Sequence, residues 1–244
     1  MPGCSLSHRI LFISSILLLI VSIVTLCLTG HAKWLLVRYF PADAWYIWRG
    51  TDDTYDEQQT TQQWIAVAYN ETYDRLALVR AVLGVVASVL SIWIMRAKPR
   101  AVMEEDTQNF QNSFRGKPIY ITAVVLAVIS FASTLTSAIW SSILHYQSSK
   151  RCQIPTVLAK YNNNFKCTRE LATCVMLPVI RKTDDAARRL ACVETKTTRW
   201  LLVPMLALGL ALVVGYAVQI WYLRRRAALE QRAEDKVTVL EKAD

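Results

Sequence analysis

Four blocks of this chain are almost wholly apolar, and long polar segments lie between them. The first, ILFISSILLLIVSIVTLCLTG, covers residues 10–30 without a charge, and the second, ALVRAVLGVVASVLSIWIM, covers 77–95 with Arg80 as its one charge. The third occupies 119–144 and the fourth 201–223. A helix advances about 1.5 Å per residue and must cross a hydrocarbon core about 30 Å thick, so each block has the length of a transmembrane helix. Hydrocarbon offers no partner to a bare peptide group, which forces these blocks to coil. The pattern therefore predicts an all-α integral membrane protein, a four-transmembrane-helix bundle with two sizeable extracytosolic loops.

The first block is longer than the roughly 7–15 apolar residues of a signal-peptide core, so it reads as a true span. Trp93, Trp140, Trp200, Trp221 and Tyr222 fall near block ends, where amphipathic rings settle at headgroup level. Arg80 lies about one turn inside its block, close enough for the guanidinium to snorkel outward or to pair with a carboxylate or a lipid headgroup.

The blocks divide the chain into a cytosolic N-terminus (1–9), an aromatic-rich outer loop (31–76), a basic cytosolic loop (96–118), a cysteine-containing outer loop (145–200) and a helical cytosolic tail (224–244). Orientation follows from the cations at the membrane edge. Arg96, Lys98 and Arg100 leave the second block directly, and Arg224, Arg225 and Arg226 leave the fourth. Both clusters read as cytosolic, with the arginine triplet among anionic headgroups. Two other features agree. Cys152, Cys167, Cys174 and Cys192 form an even set in one loop, as expected of disulfides in an oxidising compartment. Asn70-Glu71-Thr72 is an N-glycosylation acceptor pattern in the other loop. The chain is expected in the plasma membrane or secretory pathway, with both termini cytosolic.

The first loop opens on KWLLVRYFPADAWYIWRG. So many large rings should lie along the membrane surface or pack on the second loop. Pro41 splits the stretch in two; an acidic turn, the glutamine-rich QQTTQQ and a short helical run toward the second span follow. This loop holds seven acidic against four basic residues, while 145–199 holds eleven basic against four acidic. The opposite signs favour docking of the two loops. Two crosslinks would lower the cost of ordering the second loop, with all three pairings open. Within it, TRELATCVML suits a short helix ended before Pro178, and DDAARRLACVETKTTRW a helix entering the fourth span, with Asp184 and Asp185 near its positive end.

Inside the spans, Ala207, Ala211 and Gly215 recur at four-residue intervals, as do Arg80, Gly84 and Ser88. Small residues let helix backbones approach closely, so these are helix-packing candidates. Seven serines and threonines between Ser130 and Ser142 can bond their own backbone or a neighbouring helix.

The formal charge of +9 would direct attention to nucleic acid in a soluble chain, but no zinc-finger, RNP or helix-turn-helix signature accompanies it, and none is expected as a partner. No catalytic, cofactor-binding or metal residues are assigned. His8, His31 and His145 are the only histidines, outside any HExxH pattern, and no phosphate-cradling loop or nucleophile elbow is present. His31 and His145 both fall near the outer interface, where a shared site would be the sharper reading. The tail RRRAALEQRAEDKVTVLEKAD continues as a helical stalk, placing Leu229, Ala233, Val237 and Leu240 roughly on one face.

The span number, the cytosolic termini and the cysteine-bearing second outer loop resemble the layout of tetraspanins and claudin-like proteins. The resemblance covers layout alone. Cys167 and Cys174 stand in place of the adjacent cysteines and glycine of tetraspanins, and the first loop has Trp45 and Trp48 without the cysteines of claudins. The chain is expected to be a non-enzymatic membrane organiser or receptor-like accessory protein. It would act through lateral helix contacts and disulfide-held outer loops, with membrane lipids, a membrane-protein partner or second copy, and an extracellular or lumenal ligand as partners. The alternatives are a channel or transporter subunit with a hydroxyl-lined path, and a lipid-modifying membrane enzyme with a charged or histidine-containing pocket at one interface.

Overall fold

The computed structural model describes residues 2–41, 45–51, 60–69, 72–97, 118–152, 164–180 and 185–241. Among the described residues four helices are long and apolar enough to cross a membrane. They are α1 (Pro2–Tyr39), α2 (Thr72–Ala97), α3 (Pro118–Arg151) and the fourth span, which comprises α6 (Asp185–Trp200) and α7 (Leu202–Glu241). Between α6 and α7 the hydrogen bonding persists, Leu201 N–H to the Thr197 carbonyl at 2.9 Å and Met205 N–H to the Leu201 carbonyl at 3.2 Å. The interruption there traces to Pro204, which has no N–H to give the carbonyl four residues back.

Each span turns small and hydroxyl-bearing residues inward and branched aliphatics outward. On α1 the buried positions Leu11, Ser15, Leu18, Ser22, Thr25 and Thr29 alternate four- and three-residue steps, while Ile13, Leu17, Ile20 and Ile23 are exposed. On α3 Ser130, Thr134, Ser137 and Ser141 are buried, and Ile129, Leu135 and Ile139 are exposed. This arrangement suits lipid, which supplies the apolar surroundings and leaves helix contact to close packing. The buried hydroxyls largely satisfy themselves. Ser15, Thr25, Thr29 and Ser88 each donate to the carbonyl four residues back, at 2.7–2.8 Å. Aromatic-cation pairs mark several helix ends, with Arg38 over Trp34, Lys150 over Tyr146 and Arg225 over Trp221.

The described chain packs as two compact units. One gathers segments of 1–20, 84–131 and 207–244. Within it Tyr216 donates to Ser91 Oγ at 2.7 Å and meets Tyr120 edge-on, and Gly215 lies against Leu11.

The other unit takes Val21–Leu83 and Ala132–Leu206 and carries a feature absent from the sequence reading, a three-stranded sheet. Strand β1 (Trp45–Thr51) pairs antiparallel with β2 (Thr60–Tyr69), from Trp45 opposite Ala66 to Thr51 opposite Thr60. Strand β3 (Asn164–Cys167) joins β2 in parallel, from Ala66 opposite Asn164 to Tyr69 opposite Cys167. The two loops therefore dock, as their charges predicted, but the contact is a backbone ladder over an apolar core. Ile65 and Val67, alternate residues of β2, are buried with Cys152, Cys167, Ala172 and Met176. A second cluster joins Leu36 and Phe40 at the end of α1 to Leu177.

Three expectations about the loops change. The residues after Gly30 continue α1 to Tyr39, because no breaker intervenes before Pro41. The short helical run expected before the second span is strand β2, whose alternating Ile65 and Val67 fit a half-buried strand. The helix in TRELATCVML does not stop before Pro178. It runs from α4 (Arg169–Leu171) through a π-helical turn (Ala172–Met176) into α5 (Leu177–Ile180). Pro178 lacks the N–H that would continue the ladder of that run, and it stands two residues after the π-helical turn in which the helical bonding shifts.

Candidate functional site

The sheet-bearing unit concentrates its charges where helix ends meet the second loop. β3 delivers the chain to Thr168, which precedes α4, so Arg169 and Glu170 occupy the first turn of that helix. Arg169 Nε lies 2.9 Å from Asp74 Oδ2 in the first turn of α2, and both side chains are at most 10% exposed. Glu170 turns the other way. Both its carboxylate oxygens accept from Arg199 Nη1 on α6, at 3.3 and 3.2 Å, and His145 Nδ1 on α3 stands 3.9 Å from Oε2. On α6, Glu194 Oε1 meets His31 Nδ1 of α1 at 2.7 Å. Arg80, fully buried, donates from Nη1 to Ser137 Oγ and from Nη2 to the Thr198 carbonyl, both at 3.4 Å.

Burying so many ions is costly unless each charge is paired and hydrogen-bonded. Arg169 and Arg199 each have an acid within 3.3 Å, and Glu194 has His31. The pairs join elements distant in sequence, linking the first turn of α2 to the second loop and α1 to α6. Ser141, His145, Thr168, Glu170, Thr195 and Arg199 face a small cleft between α3, α4 and α6.

The two disulfides complete this region. Cys152 bonds Cys167, tying the end of α3 to β3, and Cys174 bonds Cys192, tying the π-helical turn to α6. All four cysteines expected to crosslink do so, and the pairing left open by their spacing is resolved. Cys27 is free and exposed on α1.

The other sequence-derived residues fall as follows. Gly84 and Ser88 are buried on α2, as small packing residues should be. Ala207 is exposed and Ala211 only partly buried, so the four-residue row on α7 is not one buried face. The close approaches on that helix are at Gly209, against Phe131, and at Gly215, where an added Cβ would stand 2.7 Å from Leu11 Cγ. The buried seam of α7 passes through Met205, Gly209, Leu212 and Tyr216 instead, in steps of four, three and four residues. Arg80 snorkels into the protein rather than to its surface. Arg224 and Arg225 are exposed, while the side chain of Arg226, and Asn70 and Glu71 of the acceptor pattern, lie outside the described residues. Leu229 is exposed on the tail helix; the side chains of Ala233, Val237 and Leu240 lie outside the described residues.

His31 and His145 do not share a site, since each meets its own carboxylate. Among the described residues no group of three or more His, Cys, Asp or Glu side chains could hold a metal ion. Asp74, Thr168, Arg169, Glu170, Glu194 and Arg199 had no counterpart among the sequence candidates. Their one signal was position, as charged residues at the lips of spans or beside cysteines; their pairing is a product of tertiary contact.

Fold and site together define a multi-span α-helical membrane protein with a disulfide-linked loop region. Compared with protein-family models, curated proteins and solved structures, the chain matches none.

Proposed function

We propose that this protein is a non-enzymatic membrane organiser or receptor-like accessory protein whose sheet-bearing head faces the extracytosolic side and binds a partner there. The observation that supports this reading is the way the head is fixed. Two loops share one sheet, two disulfides tie β3 to α3 and the π-helical turn to α6, and ion pairs, one of them buried, hold the second loop against the spans. A surface fixed at so many points is preorganised, which lowers the ordering cost of binding. The buried hydroxyls, by contrast, mostly donate within their own helices, which fits packing better than a conducting path.

The test is site-specific photocrosslinking in native membranes. Probes replacing Lys166 and Ala186, exposed on the head, should give a discrete protein adduct or a dimer that disappears in the Cys174→Ser/Cys192→Ser variant. Ion currents from the reconstituted chain, with only lipid adducts at the head, would overturn the reading.

One observation favours a second reading, a lipid-modifying enzyme: Ser141, His145 and Glu170 line the same cleft. Labelling by a fluorophosphonate probe that is lost in Ser141→Ala would support it; an unlabelled wild-type chain counts against it.

A further inference from the structure

We infer that the cleft between α3 and α6 takes the phosphate group of a phospholipid from the leaflet on the head side. The inference concerns a lipid site and does not depend on the head's partner.

Two polar atoms on the cleft are buried without a hydrogen-bond partner, Thr168 Oγ1 and His145 Nδ1. Thr168 is only 7% exposed, and its hydroxyl makes no capping bond to the helix it precedes. Native proteins leave few such atoms unmet by protein, water or ligand. Glu170 Oε2 stands 3.9 Å from His145 Nδ1, beyond hydrogen-bond reach. Both atoms can donate to an oxygen placed between them. Arg199 uses Nη1 for Glu170 while its side chain remains 32% exposed, so its other N–H groups can meet an acceptor at the mouth. Guanidinium, imidazole and hydroxyl donors lining one cleft form a phosphate-recognising set.

The size of the cleft says how the group sits. The cleft is half open to its surroundings, and the space it offers a solvent-sized group is about 20 Å³, room for about one water or one phosphate oxygen. The phosphate therefore stays at the mouth and sends one oxygen down to Thr168 and His145.

The surroundings favour a lipid over a free ion. Glu170 beside the mouth repels an isolated dianion but accepts the ammonium end of a zwitterionic headgroup. Trp140, Tyr146 and Trp200 flank the region with exposed rings, the composition of a headgroup belt. Ile139, Ile143 and Val203 are exposed on the same helices and give acyl chains a surface to lie along.

The test measures thermal unfolding of the full chain in detergent during titration with dioleoylphosphatidylcholine, dioleoylglycerol or inorganic phosphate. Phosphatidylcholine should raise the Tm saturably and the other two should not. Thr168→Val keeps the volume and removes no internal hydrogen bond, so the variant should fold. It should raise the half-saturating lipid concentration about fivefold, the worth of one hydrogen bond, and Arg199→Gln should raise it further. An equal response to dioleoylglycerol, or an unchanged titration in Thr168→Val, would reduce the effect to apolar coating and overturn the site. Stabilisation by inorganic phosphate alone would overturn the lipid as its source. No response to any of the three would leave the cleft to water and overturn the inference altogether.

Discussion

Asp74 and Arg169 illustrate how strongly context decides the worth of a charge. On an exposed surface such a pair contributes little. Here both side chains are at least nine-tenths covered, so removing one partner strands the other. Asp74→Asn should therefore destabilise the chain by about 3–5 kcal/mol, whereas an apolar replacement of both residues should recover much of that loss. Thermal unfolding in one detergent across the single and double variants checks this, and equal losses in all would contradict it. Gly215 makes a steric counterpart. A Cβ there would run into Leu11, so Gly215→Val should cost about 1–3 kcal/mol, with partial rescue by Leu11→Ala. Additive effects in the double-mutant cycle would show that the two residues do not meet. At this scale the sequence was legible where chemistry is local. The cysteines announced their crosslinks, and Gly84 and Ser88 their burial. Arg80 was visible as a buried-charge problem, but Ser137 and the Thr198 carbonyl, which solve it, lie far along the chain and no spacing rule connects them.

The helices and strands differ in how openly they declare themselves. A span is set by one local requirement, roughly 20 apolar residues in a row, and all four were readable. The strands depend on partners. β1 and β2 carry Trp, Tyr, Ile and Val, residues at home in strands, but the rings of β1 looked equally suited to a membrane surface, and the end of β2, next to a span, read as a helical run. β3 has four residues, too few for periodicity, and exists because β2 offers it an edge. A disulfide fastens β3 to the end of α3. Cys152 and Cys167 are 15 residues apart, a closure whose loss costs about 3 kcal/mol in the chain-entropy model. The Cys152→Ser/Cys167→Ser variant should lose head stability on about that scale while its spans remain in the membrane. Non-reducing peptide mapping should recover Cys152 linked to Cys167 and Cys174 linked to Cys192, with Cys27 alkylated; any exchanged pairing would refute the described head.

For the molecule as a whole, every feature depends on four hydrophobic helices bringing two sequence-distant loops to one side of the bilayer. Only then can β2 and β3 share a ladder and Asp74 meet Arg169. Labelling of single cysteines with a membrane-impermeant maleimide tests this directly, in a background with Cys4→Ser and Cys27→Ala. Ala186→Cys on the head should react in intact cells. Ala228→Cys on the tail helix should react only after permeabilisation. Ile129→Cys, exposed within the third span, should resist the reagent in both. Reaction of Ile129→Cys with the aqueous reagent, or identical behaviour of the head and tail positions, would contradict the four-span arrangement.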